Sequence, residues 1–279
     1  MNNTLLYAFT VLLLFASGGM AALGIFRQRI APQWLYRTAV AGGLLGGGHL
    51  LWNMLFQGDG LHFGVLIGLV CVGWLAALVA FLEGFVNRVL VLDMVVFPAC
   101  ALVFVLSGVL VLEPPIRMAG SALFQFHLLI ALAAYGLLGI AAVHALIMAC
   151  QERMLHNPMT RSVGQRKLHE RFLDQLPPLM RMDAILFRQL WAGFVLLTLT
   201  LITGFLFSEH WLGVAGQFNH KTVFAVLSWV SFAVLLVGRL WKGWRGKVAL
   251  RWCLGSYCVL LLAYFGTQFV LEFVLKRTV

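Results

Sequence analysis

Charge is what this chain has least of. Asp, Glu, Lys and Arg together supply 11% of its 279 residues, against roughly 25% in a soluble domain. Only 10 residues are acidic, and neither a paired-carboxylate site nor a phosphate-cradling glycine loop can be read anywhere. The five cysteines, Cys71, Cys100, Cys150, Cys253 and Cys258, show no Cys-x-x-Cys or Cys-x-x-Cys-His spacing. That excludes a thiol redox pair and a covalent c-type haem attachment on the chain itself. Buried small hydrophobes are the reading for all five.

What is present in quantity is hydrocarbon. The chain is 62% hydrophobic with a mean hydropathy of +0.93. Eight apolar stretches stand out: Leu5–Phe26, Trp34–Phe56, Phe63–Leu82, Val89–Leu112, Leu123–Cys150, Leu186–Ser208, Thr222–Leu240 and Trp252–Val274. Each approaches the ~20 residues that an α-helix needs to cross ~30 Å of hydrocarbon. Spanning strands would be about half as long and would alternate. The expected fold is therefore all-α and polytopic, with eight transmembrane helices in a single membrane domain over residues 1–279.

The basic residues orient it. Met1-Asn2-Asn3-Thr4 carries no basic side chain, whereas Arg27 and Arg29 follow the first apolar run. A cleaved signal peptide has the opposite polarity. An N-terminus outside, followed by eight crossings, leaves only Arg117, Lys221, Lys276 and Arg277 of the 20 Lys and Arg outside. Both termini are expected on the outer, periplasmic side. Topology thus accounts for the +10 net charge, and nucleic acid is not needed as a partner. The inner connector, residues 151–185, carries Pro158 and Pro177-Pro178. Within it Leu168, Phe172, Leu173 and Leu176 recur at helical spacing. A solvated connector and a short helix lying on the membrane surface are both open. Asp93 and Glu83, near inner helix ends, are expected to reach water.

Three histidines sit in or at the lip of these stretches and fall toward the outer face. Counting along each helix puts His127 ~6 Å below the outer boundary and His49 ~9 Å below it, with His220 at the boundary itself. An ionisable group in hydrocarbon is costly and usually lines a cavity or a ligand site. Imidazole also serves as an axial ligand to haem iron. Glycine pairs at 42/46 and 43/47 would let helices approach closely beside His49, and Tyr135 lies two turns below His127. His62 is a weaker auxiliary. His210, His156 and His169 read as solvated, and His144 is too far along its helix to join the outer group.

Several motifs carry a family likeness. Phe126-His-Leu-Leu-Ile-Ala-Leu-Ala-Ala-Tyr135, running on to Gln151-Glu152-Arg153, resembles the histidine-bearing span of the cytochrome c assembly family that includes CcsA and HemX. Leu176-Pro-Pro-Leu-Met180, Leu196–Gly204, His220-Lys-Thr222 with Trp229, Gly243-Trp-Arg-Gly246 and Ala263-Tyr-Phe-Gly266 are similar to its YpjD/HemX-like branch. The resemblance implies haem handling in a bacterial inner membrane, with non-covalent haem b as cofactor. His127 would be the ligand to haem iron, and His49 or His220 would stand opposite or line the pocket. Lipid, haem, other assembly proteins or a cytoplasmic partner at the basic connector are the implied partners.

The tryptophan-rich outer motif of haem-lyase members is missing, Val237 stands near the place of their in-membrane histidine, and Gly266–Gln268 offers no external one. The resemblance therefore implies haem binding short of a complete cytochrome c haem lyase, and more a non-enzyme than an enzyme. Other readings are a non-enzymatic regulator or scaffold of tetrapyrrole metabolism, a b-type electron-transfer cytochrome and a divalent-metal transporter. The cytochrome would call for histidine pairs near both faces, and only His144 is available in the inner half.

Overall fold

Inside a bilayer a backbone must satisfy its own hydrogen bonds, and coiling into a helix is the local way to do so. The computed structural model describes residues 2–27, 31–56, 61–86, 89–110, 116–118, 122–156, 172–212 and 220–263. Among them are eight helices, one over each apolar stretch: α1 (Asn2–Arg27), α2 (Gln33–Leu55), α3 (Val65–Glu83), α4 (Leu90–Val109), α5 (Ala122–His156), α6 (Leu179–Leu212), α7 (His220–Lys242) and α8 (Lys247–Leu261). Two three-residue strands, β1 (Leu61–Phe63) and β2 (Ile116–Met118), pair antiparallel with His62 opposite Arg117.

Six helices, α1 and α3 to α7, are long and apolar enough to cross a membrane by length and composition. α2 has the length, 23 residues, but its five glycines, His49 and Asn53 dilute its hydropathy. α8 is described for 15 residues, and the end of its apolar stretch lies outside the described residues. Hydropathy misplaced two helix ends. α5 runs past Cys150 to His156, and α6 begins at Leu179 rather than Leu186, because a helix continues into polar sequence as long as one face stays packed. Met182, Ile185, Leu186 and Leu190 form that face at the start of α6, all buried. Of the expected surface helix, Leu168 lies outside the described residues. Phe172 and Leu173 are half-buried and Leu176 is buried.

The chain divides into two compact units, residues 1–119 with 147–182, and residues 120–146 with 183–279. In the first, α1 packs on α2 and α4, and α3 on α2 and α4. Glycine sets these approaches. A Cβ on Gly46 would stand 2.3 Å from Thr10 Oγ1, and one on Gly18 would stand 2.2 Å from Pro98 Cγ. Gly47 and Gly48 lie against Trp74, whose indole N–H donates to the Leu44 carbonyl at 2.8 Å. The Tyr7 hydroxyl reaches from α1 to the Phe104 carbonyl on α4. Asp93 is buried here, contrary to the expectation that it reaches water. It sits in the first turn of α4, where the helix dipole favours a carboxylate. Two of the five cysteines also depart from expectation: Cys150 and Cys258 are exposed, while the other three are buried.

In the second unit α7 packs on α8. Ser228 Oγ donates to the Ser256 carbonyl at 3.0 Å, and Tyr135 Oη on α5 donates to the Leu260 carbonyl at 3.2 Å. A Cβ on Gly139 would collide with the Tyr257 hydroxyl at 2.7 Å. Side-chain hydrogen bonds, rather than glycine contacts alone, hold these helices.

Candidate functional site

His127 lies one turn into α5, and α6 supplies its surroundings. The Thr203 hydroxyl oxygen is 2.9 Å from His127 Nδ1. That same hydroxyl is 2.8 Å from the Leu199 carbonyl and 3.2 Å from the Thr200 carbonyl. A hydroxyl carries one hydrogen, and a carbonyl can only accept. With the hydrogen directed to α6 backbone, the oxygen accepts from Nδ1–H, and Nε2 is left as the nitrogen with a free lone pair. In that tautomer the ring could serve as a metal ligand, with a hydrogen-bond partner behind it.

Gly204 completes the cradle. A Cβ there would stand 3.1 Å from His127 Cε1, so any larger residue would push the ring or the helix away. Thr198, one turn and a half before Thr203 on α6, accepts from the Trp229 indole N–H at 2.9 Å. The Trp229 ring also stacks on Phe194 with centroids 5.5 Å apart. Thr198 and Thr203 thus tie α6 to α7 and to α5 respectively, within the second unit.

The other expected site residues fare differently. His49 is on α2 in the first unit, exposed, with Nε2 3.1 Å from Asn53 Nδ2 one turn on. Its local partner is a neighbour on its own helix. His220 opens α7 in the same unit as His127, and its side chain lies outside what is described. His62 lies in β1, and His169 falls outside the described residues. Tyr135 spends its hydroxyl on α8 backbone. His144 is 0% exposed, with the Ile140 carbonyl and the Gln189 side chain as polar neighbours. Among the described residues no three His, Cys, Asp or Glu converge as a metal cluster. A haem needs only one or two axial ligands from protein, and the His127 imidazole, held by Thr203 at Nδ1, fits that role.

Comparison with known proteins now bears on these residues. The model of a family described as cytochrome c assembly protein matches residues 60–275. The chain belongs to the cytochrome c assembly protein family. It is a multi-pass membrane protein. Over 148 residues it is 35% identical to Inner membrane protein YpjD of Escherichia coli (strain K12), covering 53% of this chain and 52% of that one. It is 33% identical over 89 residues to Cytochrome c biogenesis protein CcsA of Prochlorococcus marinus (strain MIT 9515), covering 32% and 28%. An uncharacterized 28.8 kDa protein of Azospirillum brasilense is 31% identical over 155 residues, covering 54% and 52%. The chain spans about half the length, or less, of these curated relatives. The family match includes α3 to α8, and with them His127, Thr203, Gly204 and Trp229.

Sequence reasoning missed one pair. Asp183, assigned to the polar connector, is buried on α6 and accepts from Arg239 Nη2 on α7 at 2.6 Å. Arg239 also donates to the Trp244 carbonyl at 3.2 Å, and its guanidinium lies 4.2 Å from the Phe187 ring centroid. The signal was in the pattern: 183, 186 and 190 share one helical face with the buried leucines.

Proposed function

We propose that this chain is a haem-binding protein of the bacterial inner membrane that serves cytochrome c assembly, with His127 as an axial ligand to non-covalent haem b. The single observation that carries this reading is the His127–Thr203–Gly204 cradle, in which Thr203 holds Nδ1 and Gly204 makes room for the ring. Family membership supplies the chemistry of the cofactor. In such a site the iron chemistry belongs to the haem, while the chain supplies ligation, burial and orientation.

His220, in the same unit, is the favoured second ligand, and His49, already bonded to Asn53, is the lesser one. Eight spans with both termini outside put His127 and His220 near the periplasmic face. The Lys and Arg distribution supports that orientation. The missing tryptophan-rich motif supports binding or transfer of haem short of its covalent attachment.

The test is spectroscopic. Full-length protein purified in detergent from haem-replete cells should show a Soret band, and an alkaline pyridine spectrum should be of the b type. His127→Ala should lose most of that band. Thr203→Val, which keeps the ligand but removes the group behind it, should weaken haem affinity roughly 10–100-fold. An undiminished Soret band in His127→Ala, or a wild-type protein that refuses added haemin, would overturn the reading.

A further inference from the structure

One face of α7 is hollow. Trp229, Val230, Ala233, Val234, Val237 and Gly238 line a groove of about 320 Å³. That volume lies at the low end of small-molecule sites, which run about 300–1,000 Å³. The lining residues recur as adjacent pairs every four positions, 229/230, 233/234, 237/238 and 241/242, so the groove runs lengthwise along the helix. Its walls are hydrocarbon, which selects an apolar occupant.

One end is built differently. Trp241, 84% exposed, and Lys242 line it, and the turn that follows presents Arg245 and Lys247 as exposed cations. Trp244 closes the groove over Gly238, where a Cβ would lie 2.4 Å from its ring. Several contacts hold Trp244 in that position. Its N–H donates to the Gly238 carbonyl at 3.2 Å, its carbonyl accepts from Arg239, and its ring stacks on Trp252 with centroids 5.7 Å apart. Gly243 and Gly246 turn the chain at φ of 64° and 56°, a conformation glycine adopts without strain. Asp183 in turn anchors Arg239. The end wall is therefore preformed.

An apolar slot ending in tryptophans and cations at a membrane surface complements one kind of molecule. We propose that the groove holds an acyl chain of an anionic phospholipid, with the lipid phosphate at Lys242 and the Arg245–Lys247 turn. Basic residues beside a spanning helix attract anionic headgroups, and tryptophan settles at the same depth. A haem is the poorer fit here, because no lining side chain is a histidine, cysteine, methionine or tyrosine able to ligate iron.

The full chain, reconstituted in phosphatidylcholine vesicles, can be probed with brominated lipids that quench tryptophan on contact. Brominated phosphatidylglycerol should quench more than brominated phosphatidylcholine at equal mole fraction. That excess should disappear in Ala233→Leu, which fills the groove, and in the exposed-site variant Lys242→Gln. Inorganic phosphate should not displace it. Equal quenching by the two lipids overturns the proposal. So does an excess that survives Ala233→Leu, which would mean a surface charge effect without the groove, or one that free phosphate abolishes.

Discussion

The two units solve the same problem with partly different materials. In the first, glycine brings helices together: Gly46 against Thr10, Gly18 against Pro98, Gly47 and Gly48 against Trp74. Aromatic side chains then reach across to backbone carbonyls, as Tyr7 does to Phe104 and Trp74 to Leu44. The second uses the same devices, as Gly139 against Tyr257 and Tyr135 to the Leu260 carbonyl show, and adds polar side chains that meet polar side chains: His127 with Thr203, Trp229 with Thr198, Arg239 with Asp183. Lipid tails offer helices no hydrophobic reason to associate, so close packing and interhelical hydrogen bonds are the two means available. Packing alone makes a scaffold. Side chains held by hydrogen bonds in defined tautomers and rotamers can also do chemistry, and the second unit carries those.

The comparison can be broken by experiment, most strongly at the ion pair. Asp183→Ala leaves the half-buried Arg239 without its carboxylate and should destabilise the protein by about 1–3 kcal/mol, seen as a drop in thermal midpoint in detergent. Replacing both partners together, as Asp183→Leu with Arg239→Met, should recover much of that loss. If the single and double variants are equally unstable, the pair is not what holds α6 to α7.

Packing in the first unit should be nearly as sensitive. Gly18→Leu or Gly46→Leu introduces atoms where none fit and should cost about 1–3 kcal/mol, with no change in any Soret band beyond loss of folded material. A haem-specific loss in these variants would mean that the division between scaffold and site is wrong.

Single hydrogen bonds should matter less. Trp229→Phe keeps the stacked ring but gives up the bond to Thr198, and about 0.6 kcal/mol is the typical size of such an interhelical bond. His49→Ala should be the mildest change, within about 0.5 kcal/mol, since the residue is exposed and its partner is a neighbour on the same helix. Measured beside His127→Ala, it sharpens the contrast: a haem loss as large in His49→Ala would give the first unit a share of the site.

Eight helices were legible from hydropathy, and so was the family, because runs of apolar residues and the motif around Phe126–Tyr135 are local features. Helix ends were not. The polar turns of α5 and α6 read as connector until the buried face of Met182, Ile185 and Leu186 is seen packed. His127 was legible as a candidate, but Thr203 and Gly204, which surround its ring, are 76 and 77 positions away, and their place in the Leu196–Gly204 motif does not say which side chain they meet.

By itself, then, the sequence determined that this is a helical membrane protein, because the cost of exposing backbone and charge to hydrocarbon leaves almost no other solution, and its motifs carried the likeness to the cytochrome c assembly family. It also placed His49, His127 and His144 within helices, while His156, His210 and His220, read as lying outside the spans, fall at or near helix ends. Only the tertiary structure decided which partners they find. Depth along a helix is additive in residue count, whereas the direction a side chain faces, and what stands opposite it, depends on how helices distant in sequence pack. That packing seals Asp183 against Arg239 and brings His127 against Thr203 and Gly204, while His49 finds only Asn53 on its own helix.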